Sequence, residues 1–221
     1  MRLLATTAIL FFFSAVPAMA EVRLWRSTTT TSGDMGGRAG ADAICDADAN
    51  RPAGLSNVRA FISLSGSDEI RDMATNYGIP TTEAIRNQDD SLQISSDFSG
   101  LLNAGTVNLD NSVASGGGGA LPWTFSDADG ALNANNCTGG TSTAGIGVQG
   151  HPLQVDGRYL NNSTNNCTAG QALYCLSWES AAMSSGAQSV PTNTPWSFAL
   201  TVFFVMALLQ QQSRKRQKTN V

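Results

Sequence analysis

Between Val58 and Leu64 apolar side chains fall at alternate positions, with Val58, Ala60, Ile62 and Leu64 on one side, the period of a strand. Upstream, Ala41, Ile44 and Cys45 recur at i, i+3 and i+4. They predict a small-residue helix over 41–49, led in by Gly36-Gly37-Arg38-Ala39-Gly40 and stopped by Asn50-Arg51-Pro52, with the cysteine turned inward. Downstream, Ile70, Met73, Ala74 and Tyr77 take helical spacing. A second helix is predicted there, capped by Ser67, with Asp68 and Glu69 in its first turn and Gly78 and Pro80 at its end. The pattern then dissolves into Gly, Asn, Ser and Thr. Short apolar pieces interrupt it: Leu92-Gln93-Ile94, Leu101-Leu102, Leu121-Pro122-Trp123 and Ile146-Gly147-Val148. Ala172-Leu173-Tyr174-Cys175-Leu176-Ser177-Trp178 predicts a final strand. Two early helices followed by short strands and long loops define an α+β domain with little regular structure.

Both ends of the chain carry longer apolar runs of another kind. Arg2, the apolar stretch 3–16 and Ala18-Met19-Ala20 follow the order of a cleavable export signal, which makes Glu21 the expected first residue of the mature protein. At the other end, 180–189 is rich in Ser, Ala and Gly and reads as a flexible linker. Val190-Pro191-Thr192 and Trp196 follow, then the apolar run 197–209 and the cluster Arg214-Lys215-Arg216-Gln217-Lys218. The run is apolar on every face, which suits a membrane helix better than a surface one, although a spanning helix needs roughly 20 residues. The basic cluster beyond it fits the positive-inside rule, and Trp196 falls where an interfacial aromatic belongs.

The order of motif, apolar helix and basic end resembles the bacterial C-terminal sorting signals of the IPTL-CTERM type. Val190, Pro191, Thr192 and Trp196 match that pattern, and Asn193 departs from it. The resemblance implies delivery to the cell envelope and an envelope sorting protease as partner.

Residues 21–179 are long enough for one domain with a core of its own. Only 14% of the chain is Asp, Glu, Lys or Arg, and its net charge is −4. The basic residues do not form a patch outside the extreme tail, so nucleic acid is not an expected partner. Cys45, Cys137, Cys167 and Cys175 all lie in the region expected to be exported, and four cysteines allow two disulfides in three connectivities. With no Cys-x-x-Cys pair and one histidine, His151, zinc is not expected.

Enzyme signatures are missing as well: there is no Gly-x-Ser-x-Gly, no His-Glu-x-x-His and no matched nucleophile and base. His151 sits beside Pro152 in a Gly-rich loop and reads as a surface residue, and Asp89-Asp90 reads as a turn. The glycine run 116–119 has no following Gly-Lys-Ser/Thr and is a loop rather than a phosphate cradle. Asp127-Ala128-Asp129-Gly130 has the alternating oxygens of the first half of a calcium loop but no later acidic ligand, so an Asx turn competes with it. With Trp123 nearby, Asp127 and Asp129 form the candidate ligand or calcium site, and no other cofactor is expected.

Gly40-Ala41-Asp42-x-x-Cys45, Gly54-Leu55 and Arg59-Ala60-Phe61-Ile62-Ser63 resemble the opening of endostatin-like domains. They are closer to a family of secreted bacterial proteins with that C-type-lectin-like fold. The resemblance continues through Ile79-Pro80, Asp97-Phe98-Ser99-Gly100-Leu101, Trp123-Thr124-Phe125-Ser126-Asp127-Ala128-Asp129-Gly130, Cys137, Cys167 and Leu173-Tyr174-Cys175. It implies a C-type-lectin-like fold and the nested pairing Cys45–Cys175 with Cys137–Cys167. The family's zinc histidines have no counterpart in Glu21-Val22-Arg23-Leu24-Trp25, and the Glu-Pro-Asn and Trp-Asn-Asp sugar motifs are absent. Thr138-Gly139-Gly140 stands where a tryptophan is common.

The expected function is an envelope-associated binding or adhesion module without catalysis. Its partner would be a surface protein or glycan, met by the loops between Gly100 and Cys167. A structural envelope protein with no small ligand is the alternative, and a hydrolase a distant third.

Overall fold

The computed structural model describes residues 21–102, 107–114 and 119–179. The export signal, the linker, the sorting motif and the run 197–209 lie outside these residues, as do most of the glycine run and parts of the loops after Gly100. Among the described residues no helix is long and apolar enough to cross a membrane. The domain is α+β with a mostly sheet core, few helices and two disulfides.

Among the described residues there are eight strands: β1 (Val22–Arg26), β2 (Asn57–Ala60), β3 (Ile85–Arg86), β4 (Gln93–Ser95), β5 (Pro122–Trp123), β6 (Ile146–Gln149), β7 (Ser163–Asn166) and β8 (Ala172–Trp178). They form one sheet in the order β4-β3-β1-β8-β5-β6-β7, with β2 also on β8. β8, buried at all seven positions, is the hub. β1 runs antiparallel along one edge, Val22 opposite Trp178 and Arg26 opposite Tyr174. The other edge is shared by antiparallel β2 and parallel β5.

Strand alternation sorts the hub's side chains into two cores. Tyr174, Leu176 and Trp178 enter one core with Val22, Leu24 and Phe61. Leu173 and Cys175 enter the other with Trp25, Val58, Ala60, Ile62 and Leu64. The alternation from 58 to 64 thus persists into the core, although pairing in β2 stops at Ala60. β1 was not expected: a five-residue segment with Arg23 at its second position and Arg26 at its end gives a weak strand pattern. Arg23 is nevertheless buried, held by Glu21, by Asp90 and by the Asn87 carbonyl.

Helix α1 spans Gly37–Asp46, starting and ending earlier than the expected 41–49. Gly36, at φ 81°, turns the chain in from the left-handed region. Ala41 and Cys45 face the sheet as expected, and Cys45 bonds to Cys175 of β8. Asp48, just past the helix, is the anchor that stops it. Its carboxylate accepts from the Trp25 indole, the Thr28 amide and hydroxyl, and the amides of Thr29 and Asn50.

The second helix is shorter than expected and is not capped by Ser67. A 3₁₀ turn over Ile70–Asp72 leads into α2, Met73–Tyr77, which Gly78 ends at φ 67°. The two acidic residues read as first-turn charges are used elsewhere. Asp68 takes a bidentate bond from Arg38 and the Tyr77 hydroxyl, while Glu69 turns inward to the Leu132 amide. The long-range Arg38–Asp68 pair and the Glu69 bond to Leu132 have overridden the local helix signal.

The loop-rich half is held by different means. Cys137, Thr138, Gly139 and Gly140 all have positive φ (51, 56, 66 and 77°) and make one left-handed turn. For Cys137 and Thr138 this costs about 1–2 kcal/mol each. The Asn136 side chain accepts from the Gly139 amide, and its carbonyl from the Gly140 amide. The Cys137–Cys167 disulfide completes the clamp and is covered by two glycines. A methyl at Gly33 would lie 2.4 Å from the Cys137 sulfur, and one at Gly147 2.7 Å from it.

Candidate functional site

Trp123 is buried, whereas Asp127 and Asp129 are half-buried on the following turn, and the polar groups of all three have partners within the protein. Trp123 is fully buried and tilted against Phe125 at 5.3 Å, and its indole donates to the Thr31 carbonyl. It is a core residue. Asp127 Oδ1 accepts from the side-chain amides of Asn133 (2.5 Å) and Asn161 (3.1 Å). Asp129 Oδ1 accepts from the Ala131 amide, and its other oxygen lies 3.8 Å from Arg71. Gly130, at φ 85°, gives its carbonyl to the Ser63 hydroxyl and the Arg71 amide. The segment is an Asx-type turn that pins the loop to the 3₁₀ turn before α2. Among the described residues no group of three or more His, Cys, Asp or Glu side chains is arranged to hold a metal.

Asp89-Asp90 is a turn, as expected, and Asp90 reaches both Arg23 and Arg86. His151 Nδ1 accepts from the Leu153 amide within its own loop.

A more organised polar constellation lies between α1, β2 and α2. Arg38 and Asp42, one turn apart on α1, face the edge of β2 away from β8. Arg38 donates to the carbonyls of Ala60 (2.6 Å) and Ile62 (2.8 Å) and forks onto Asp68 at 2.9 Å through both nitrogens. Asp42 accepts from the Ala60 amide at 2.9 Å and lies 3.5 Å from both Arg38 and Arg59. Tyr77 contacts the guanidinium groups of Arg38 and Arg59, 5.5 and 5.1 Å from its ring centre, within cation–π range.

Electrostatics follow from burial. Desolvation pushes the Asp42 carboxyl above its ordinary value, against the Ala60 amide and the two arginines that pull it down. Desolvation is the largest influence on Arg38 and works against its charge, but the Asp68 hydrogen bonds together with the charges of Asp68 and Asp42 outweigh it and hold the guanidinium above its usual value. Burial raises the Tyr77 hydroxyl too.

Beside this network is an open groove of about 310 Å³. Asp42, Ala43 and Asp46 of α1 form one wall, and residues 56–59 the other. Arg59, 40% exposed along its side chain, stands over the groove on the Tyr77 ring. Asp46, 63% exposed, pairs with Arg51, and Ser56 is held by Glu179 through its amide and hydroxyl. The groove offers carboxylates, a guanidinium, a hydroxyl and an amide side chain on a rigid frame. That inventory suits recognition of a polar ligand.

The sequence reading missed this site. Arg38-x-x-x-Asp42 on one helix turn and Arg59 beside Ala60 were the available signals. In the sequence Arg38 belongs only to the lead-in of a helix, and Asp42 and Arg59 only to the matched positions of a resemblance. No family model matches the chain, and no curated protein matches it.

Proposed function

We propose that residues 21–179 are a C-type-lectin-like binding module, exported by the N-terminal signal and directed to the cell envelope by the C-terminal segment. The module binds a surface glycan or protein through the α1–β2 groove and carries no catalytic role. The observation that carries this reading is the groove itself. Arg59 is presented on Tyr77 beside Asp42 and Asp46, and its frame is fixed by Arg38, Asp68 and the neighbouring Cys45–Cys175 bridge. The nested disulfides and the two short early helices agree with the lectin-like resemblance. The long loops, first choice from the sequence, are less suited where described, because Trp123, Asp127 and Asn136 are used in holding them.

A glycan array and an envelope-protein pull-down test the reading, with wild type, Arg59→Ala and Asp129→Ala side by side. Binding lost in Arg59→Ala and kept in Asp129→Ala is expected. Binding lost only in Asp129→Ala would return the site to the loops, and no binding by any form would favour a structural envelope protein.

A further inference from the structure

The last strand of the domain is also the one on which the others depend. β2 has no strand partner other than β8 among the described residues, and β1 otherwise meets only the two-residue β3. β5 joins β8 to β6 and β7. Without residues 172–178 the sheet separates into β4-β3-β1 and β5-β6-β7, with β2 unpaired. Both cores lose a wall at the same time, because β8 supplies Tyr174, Leu176 and Trp178 to one and Leu173 and Cys175 to the other. Cys45 loses its partner as well.

We propose that β8 is the closing element of this fold: residues 21–171 remain open until Ala172–Trp178 arrive, and the domain then closes around that strand. The physical basis is loop-closure entropy. The first strand, β1, is rewarded by a partner about 150 residues away, and non-local pairing must meet its closure cost before contacts repay it. A chain that appears N-terminus first therefore holds its first strand waiting for its last. For an exported chain, a point that rests on the proposed function, this keeps the domain threadable until it has crossed.

The test is a cell-free force profile in which the chain is followed by a translation-arrest peptide at increasing lengths. Release of arrest is expected only once Trp178 has left the ribosome, and at the same length in Cys45→Ser/Cys175→Ser, because strand pairing sets the gate. Release with 171 or fewer residues outside would overturn the proposal, as would a shift to shorter lengths in the cysteine variant. A second measurement uses the chain ended after Gly170. Its amides in 22–26 and 57–60 should exchange as in an unfolded chain, and regain protection when a peptide of residues 171–179 is added. Protection without the peptide would overturn the proposal too. Neither readout involves export, so a failure of export in cells would leave this result standing.

Discussion

The α1–β2 face and the loop-rich half from Gly119 to Gly170 are each clamped by one disulfide, yet they are stabilised by different physics. The first is built from periodic elements joined by paired charges: Arg38 with Asp68, and Asp42 with Arg38 and Arg59. The second is built from glycine clearances, a left-handed turn and amide bonds, with the Asn133 and Asn161 side chains converging on the Asp127 carboxylate and Asn136 holding the turn. The difference explains why one side can present a polar groove while the other spends its polar groups on its own shape.

The largest effects should come from the clamps. Cys45–Cys175 closes a separation of 130 residues and Cys137–Cys167 one of 30. In the chain-entropy account these are worth about 5 and about 3.6 kcal/mol, less than additive because they are nested. Cys45→Ser should therefore cost more than Cys137→Ser in urea unfolding. The reverse order would mean that strain in the left-handed turn, rather than loop length, sets the value of the second bridge.

Packing comes next. A methyl at Gly147 would stand 2.5 Å from the Phe125 ring and 2.7 Å from the Cys137 sulfur. Gly147→Ala should destabilise by about 1–3 kcal/mol, whereas Gly54→Ala, with open space around it, should be limited to the strain of its φ of 87°. Equal losses would show that the glycine cover over the disulfide is not tight.

The loop turn should respond to Asp127→Ala with a loss of about 1–2 kcal/mol, because two half-buried side-chain amides lose their acceptor. Asp129→Ala, which removes one amide bond and a long contact to Arg71, should cost less. Thermal melts with and without calcium should coincide for the wild type. A calcium-dependent rise abolished by Asp127→Ala would restore the calcium loop.

The two regions were not equally legible in the sequence. Periodicity located α1 to within four residues at its start, and the alternation from Val58 to Leu64 identified one core wall. The charge of Asp68 and Glu69 misled, because Asp68 is taken by the sequence-distant Arg38, and Glu69 is shared between Arg71 and the distant Leu132 amide, which a first-turn reading cannot see. β1 was invisible because a buried arginine interrupted its apolar run, and Asp90, which neutralises it, lies on another turn. The left-handed turn had only Gly139-Gly140 as a signal; nothing local announces positive φ at Cys137 and Thr138. The groove was legible in pieces, as Arg38, Asp42 and Arg59, but tertiary packing alone brings them together.

The smallest expected effect is a pH dependence confined to acid. Burial works against the Asp48 charge, but bonds from Thr28, Asn50 and Thr29 outweigh it and lower the carboxyl below its ordinary value. A folded value below the unfolded one stabilises above the ordinary carboxylate range and is lost as pH falls through the lowered value. Asp48→Asn should flatten the stability profile below about pH 4 and leave its slope near neutrality unchanged. An equal acid slope in the variant would place that dependence on other groups.

The architecture rests on two regions that are clamped separately and meet at β8, and peptide mapping under non-reducing conditions tests it most directly. The account predicts cross-linked peptides containing Cys45 with Cys175 and Cys137 with Cys167. A peptide joining Cys167 to Cys175 would contradict it, removing α1 from the hub strand and with it the frame of the groove.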